Sequence, residues 1–209
     1  MAIKATIVIF LIFAGVEIFL YLLVNYLRRD FQWLITYKDD LPDIDKDRLA
    51  KFLKQGYDSE LGWIRKPNTQ GVETVKSVGQ TNDNKKQTSF TINSRGARYN
   101  PGHENLPETI SCYGDSFAFC RHVNDNETWE WHLSALTNSN VLNFGVGNYG
   151  VDQALLRMKR EFDGNRTKIV VLCVVPETIT RIVNSWKHYS EYGNVLGFKP
   201  RFLVNNNRL

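Results

Sequence analysis

The sequence predicts an α/β domain built on a parallel sheet from Thr109 onward, and three observations carry the prediction. T-I-S-C-Y, V-L-N-F-G and K-I-V-V-L-C-V-V (residues 109–113, 141–145 and 168–175) are short apolar runs, each closed by glycine or proline, and they read as buried strands. E-T-W-E-W-H-L-S-A-L and V-D-Q-A-L-L-R-M-K-R-E-F fill the gaps between them with helical sequence. Strands alternating with helices imply βαβ units, and in such a sheet the functional residues lie outside the carboxyl ends of the strands.

The chain before this domain, which is taken as 109–209, divides in two. In residues 1–29 the stretch Ile7–Leu27 is apolar for about the 20 residues that a helix needs to cross a hydrocarbon core. It ends in N-Y-L-R-R without a small-residue cleavage pattern, so a retained transmembrane anchor is expected in place of a cleaved signal peptide. Glu17 is expensive in lipid and is read as a tolerated carboxyl, neutral or paired. Lys4 on one side is matched by Arg28 and Arg29 on the other, so charge leaves the orientation open. Residues 30–108 follow as a juxtamembrane helix and a small β lead-in. Leu49, Phe52 and Leu53 recur at helical spacing before Gly56 as a stop. Gly62, Pro67 and Gly71 then punctuate short β-like pieces, S-F-T-I-N-S-R-G-A-R repeats that texture, and T-N-D-N-K-K-Q is polar enough for a hairpin tip.

Composition narrows the function classes. The chain has 209 residues, 43% hydrophobic and 23% charged, which suits one ordinary core and excludes a disordered chain. Its net charge of +4 comes with no basic run, so a nucleic-acid partner is not expected. The three cysteines, Cys112, Cys120 and Cys173, form no C-x-x-C pair, and the four histidines lack metal-ligand spacing, so neither a disulfide framework nor a metal site is expected. Cys112 and Cys173 are read as buried thiols.

The first strand runs into G-D-S. A serine on a glycine-preceded turn between a parallel strand and a helix exposes its hydroxyl, with its N–H near a helix N-terminus, and this suits a nucleophile. Asp115 and Ser116 suit a simple helix cap equally well.

G-D-S-F-A-F, then N-E-T-W, then V-L-N-F-G-V-G-N-Y-G-V-D-Q-A-L-L together resemble the SGNH (GDSL lipase/esterase) hydrolases. D-S-E-L-G-W-I-R-K-P-N and F-T-I-N-S-R-G-A-R resemble the β lead-in of membrane-anchored bacterial members, so the similarity covers roughly residues 57–160. The resemblance implies a flavodoxin-like three-layer α/β/α fold with a parallel sheet, incomplete here, behind a transmembrane helix and the β lead-in. It places the nucleophile on Ser116, with Gly114 and Asp115 shaping the site. An oxyanion-hole N–H falls on Ser116 and another on Asn148, where the family has glycine. Asparagine tolerates a left-handed backbone, so that N–H still points inward in this reading. Asn143 opens the second block and is read as structural. The family's third-block asparagine corresponds to Glu177, whose carboxylate would repel an oxyanion if ionised; it is protonated or faces elsewhere, or another group such as Asn184 supplies the donor.

The family's base is a histidine three residues after an aspartate, and no D-x-x-H occurs in this chain. His122 and His188 are read as surface residues. A chain truncated before the remaining strands is preferred over a degenerate, non-catalytic member. The function implied is a membrane-anchored serine esterase or acyl transferase acting on ester-bearing carbohydrate or lipid of the cell envelope, on the periplasmic or extracellular side, with no metal or organic cofactor. The rival is an SGNH-like binding or assembly module of a membrane complex. Trp186, Tyr189 and Tyr192 are candidates for a sugar-stacking surface, with packing as the equal alternative.

Overall fold

The computed structural model describes residues 2–31, 42–75, 86–189, 191 and 194–203. The apolar N-terminal segment is one continuous helix, α1 (Ala2–Leu27), whose 26 residues extend roughly 39 Å at about 1.5 Å per residue. Its large apolar side chains, from Ile7 to Leu22, face outward with no protein surface covering them. One helix among the described residues is therefore long and apolar enough to cross a membrane.

Helix α2 (Lys46–Gln55) forms where the apolar spacing predicts it. Asp45 caps its start by accepting the Arg48 N–H at 2.7 Å, and Gly56 ends it by donating to the Phe52 carbonyl at 2.8 Å. Two short antiparallel pairs follow. Strands β1 (Tyr57–Asp58) and β2 (Gly62–Trp63) close around Asp58, whose Oδ1 accepts the N–H groups of Glu60 and Leu61. Strands β3 (Thr69–Val75) and β4 (Lys86–Ile92) pair along their whole length, from Thr69 opposite Ile92 to Val75 opposite Lys86. The polar tip expected at 81–87 falls mostly outside the described residues.

The parallel sheet consists of β5 (Ile110–Tyr113), β6 (Val141–Asn143) and β7 (Ile169–Leu172) in the order β6–β5–β7. Helix α3 (Trp129–Thr137) joins β5 to β6, and α4 (Val151–Phe162) joins β6 to β7. The chain thus moves outward from β5 to β6 and returns across β5 to β7. That reversal beside β5 is where sheets of this class bind ligands. The β lead-in is not a detached layer, because Arg98 bridges both Ile92 and Asn143 and stitches the β3–β4 hairpin to β6.

Strands β5 and β6 are wholly buried, β5 as the central strand and β6 with Arg98 bridged to its outer side. Tyr113 and Phe144 stack with ring centroids 5.2 Å apart, and Leu142 and Ala97 fill in around them. The third strand departs from the expectation of full burial: Ile169 is 54% exposed and Val170 36%. Among the described residues β7 pairs with β5 alone, so its outer side is uncovered. Cys112 is buried as expected, whereas Cys173 is only partly so.

Candidate functional site

Gly114, Asp115 and Ser116 leave the carboxyl end of β5, the central strand. The helix expected to begin at Ser116 does not form, and residues 116–122 are successive turns. Arg98, a buried guanidinium, secures these turns: it donates to the carbonyls of Phe119 (2.7 Å), Cys120 (2.8 Å) and Val123 (2.7 Å) and pairs with Asp125 at 2.7 Å. Cys120 and His122 take positive φ values of 55° and 75°. Asp115 therefore caps no helix; its Oδ1 accepts the Phe117 N–H at 2.9 Å and fixes a turn. Ser116 is half-buried, and neither its Oγ nor its N–H has a partner among the described residues.

The loop after β6 packs directly on this turn. Asn143 is structural as expected: its Nδ2 donates to Ala118 O at 2.8 Å and its Oδ1 accepts the Gly145 N–H at 2.9 Å. The Val146 N–H reaches Gly114 O at 3.0 Å. A Cβ on Gly145 would lie 2.3 Å from Phe119 N and 2.7 Å from Ala118 C, both backbone atoms that cannot swing aside. Gly145→Ala is accordingly expected to push the two loops apart and to cost about 1–3 kcal/mol, read as a lower denaturant midpoint. Two residues on, Asn148 has φ 69°, the left-handed conformation that the asparagine predicts. Its N–H has no acceptor among the described residues, while its carbonyl is held by Lys187 Nζ at 2.9 Å.

The segment after β7 contributes a different residue from the one expected. Glu177 is exposed. Arg181, four residues on in the 3₁₀ stretch Pro176–Ile182, instead points inward, 3.3 Å from Asp115 Oδ2 and 3.0 Å from the Tyr149 carbonyl. It also pairs with Glu191 at 3.1 Å. One guanidinium thus ties the G-D-S turn to the loop carrying Asn148. Asn184, the alternative donor, keeps its Oδ1 buried with no described partner. Arg98, Arg181 and Lys187 carry no motif, and no sequence signal distinguishes them from surface cations.

Each of the four histidines is held elsewhere. His103 and His132 pack edgewise on Trp131, and His122, the surface residue expected, lies 4.0 Å from Glu73. His188 is buried against Trp186, which corrects its reading as a surface group. Trp186 itself stacks on Phe198 at 5.2 Å, so it is packing and not an open sugar platform; the Tyr189 side chain and Tyr192 fall outside the described residues. No family model and no curated protein matches this chain. Among the described residues no cluster of histidine, cysteine, aspartate or glutamate has the makings of a metal centre.

Beneath the turn lies Glu130, almost fully buried, accepting from Cys120 Sγ at 3.3 Å through Oε2, while Oε1 has no described partner. Burial pushes its carboxyl up to about 8, against about 4.3 for a free glutamate. The folded chain therefore holds a proton that the unfolded chain releases, and stability falls as pH rises from about 4.3 through about 8. Glu130→Gln keeps the shape and removes the charge. It is expected to raise the melting temperature at pH 8.5 with little change at pH 5, and equal shifts at both would exclude the mechanism.

Proposed function

We propose that this protein is a membrane-anchored serine esterase or acyl transferase of the SGNH type, with Ser116 as the nucleophile. The observation that carries the reading is Ser116 at the carboxyl end of the central strand, with its own N–H and that of left-handed Asn148 both lacking acceptors among the described residues, on loops packed together. Ser116 Oγ attacks the ester carbonyl and gives up its proton, the two N–H groups hold the resulting oxyanion, the ester C–O bond breaks as the alcohol departs with that proton, and the acyl group then passes to water or a sugar hydroxyl, whose proton returns to Ser116 Oγ. Asp115, fixed by Arg181, shapes the turn without touching substrate. The strand order, in which the second and third strands flank the first, is the order in which flavodoxin-like sheets begin, and it supports the fold proposed here. The exposed α1 supports the anchor, and an envelope-facing domain follows from the family resemblance.

A fluorophosphonate probe tests the reading, because it reacts with a serine hydroxyl only where that oxygen is activated. Labelling of the full chain is expected at Ser116 alone. A second reading, a binding or assembly module, is favoured by the placement of the four histidines, whose rings lie against Trp131, Glu73 and Trp186. An unlabelled Ser116 in folded, full-length protein decides for that module.

A further inference from the structure

A cleft of about 740 Å³ opens between α2, the β2–β3 connection and the loop that carries Asn148. Ser116 does not line it, but both flanks of the Ser116 site do. Gly147 and Asn148 form one wall, and Arg121, whose N–H donates to Ser116 O at 3.0 Å, stands on another. The cleft is thus continuous with the proposed oxyanion loop.

Its charge is one-sided. Arg48, Lys51, Arg65, Lys66 and Arg121 line it, and among the described residues no aspartate or glutamate does. Glu73, set behind the wall, pairs with Arg65 at 2.6 Å and Arg121 at 2.9 Å. Five cations less this one carboxylate leave an excess of four positive charges. Arg48 and Lys51, exposed on α2, have no carboxylate partner among the described residues. Arg65 is held between two rings, its guanidinium 3.9 Å from the Phe90 ring centroid and 4.3 Å from that of Phe119, so its position costs little further ordering when an anion arrives.

The remaining wall is aromatic and amide-bearing, with Trp63 and Phe52 beside Gln70 and Asn194. Ring faces accept the apolar faces of sugars, amides their hydroxyls, and cations their carboxylates or phosphates. We propose that this cleft binds an acidic carbohydrate, presenting its ester to the Ser116 turn. The volume suits a ligand of several rings and exceeds what a free inorganic anion needs. A bilayer surface is flat and does not enter a concave site, which favours a soluble glycan over a lipid headgroup. The substrate role rests on the Ser116 reading; the binding itself does not.

The test is calorimetric titration of the full chain, in neutral detergent and in the Ser116→Ala background, with oligogalacturonate and with a neutral cello-oligosaccharide of equal length. The acidic ligand is expected to bind and to weaken with salt, and the neutral one to bind at least about tenfold less tightly. Arg48→Ala with Lys51→Ala is expected to weaken oligogalacturonate binding by about tenfold or more with an unchanged melting temperature, since both side chains are exposed. Equal affinity for the two ligands, or an unaffected double variant, overturns the proposal. So does binding confined to phosphatidylglycerol vesicles and absent for oligogalacturonate, which would make the basic face a lipid contact. Binding without any Ser116-dependent ester turnover removes the hydrolase reading and leaves the cleft. Turnover without binding does the reverse.

Discussion

Ser116→Ala is expected to lower the release of p-nitrophenolate from p-nitrophenyl acetate by the full-length protein by about 10³-fold or more. Losing a nucleophile removes the acyl-enzyme route altogether, and what survives is the residual effect of binding and oxyanion donors. Stability should be untouched. The hydroxyl is half-buried with no described hydrogen bond, and such truncations usually stay within about 0.5 kcal/mol. A wild-type rate that the variant matches, with the protein folded, would end the esterase reading and leave the binding module.

Arg98→Ala carries the largest expected structural effect. Arg98 is 3% exposed, and its guanidinium serves three carbonyls and Asp125. Alanine leaves buried acceptors unpaired and a carboxylate uncompensated, which costs about 3–5 kcal/mol, a large part of the roughly 5–15 kcal/mol that holds a domain together. Arg98→Lys should rescue little, because a point-like ammonium cannot serve a planar fork of four acceptors. Chemical denaturation measures the cost, and fluorophosphonate labelling of whatever folds reads the Ser116 turn. A cost below about 1 kcal/mol with labelling intact would show that the turn holds its shape without Arg98.

The two variants separate chemistry from scaffolding, and the same separation explains what was legible beforehand. The three apolar runs became strands β5, β6 and β7, and the helices between them formed within a residue or two of the expected spans. Local periodicity suffices for this, because burial on both faces demands continuous apolar sequence. Asn148 in a left-handed conformation was also legible, since few other non-glycine residues take that backbone so readily.

What misled was context. Local propensity favours a helix after Ser116, yet turns form there with the carbonyls of Phe119, Cys120 and Val123 held by a cation from the β lead-in, and nothing local to 116–122 reports an arginine some twenty residues upstream. Glu177 occupied the third-block place by alignment along the chain, whereas the 3₁₀ stretch turns Arg181, one residue beyond a helical turn, toward Asp115.

The sequence by itself determined the apolar N-terminal helix, the α/β alternation and the serine at the end of the first parallel strand, because each depends on residues close together in the chain. Only the tertiary structure decided that Arg98 and Arg181 hold the turn, that Glu130 keeps its proton beneath it, and that five cations from three separate segments face one cleft. Those are long-range electrostatic arrangements. A charged side chain reads the same in sequence whether it meets water or a buried carbonyl, and only folding sets which of the two it meets.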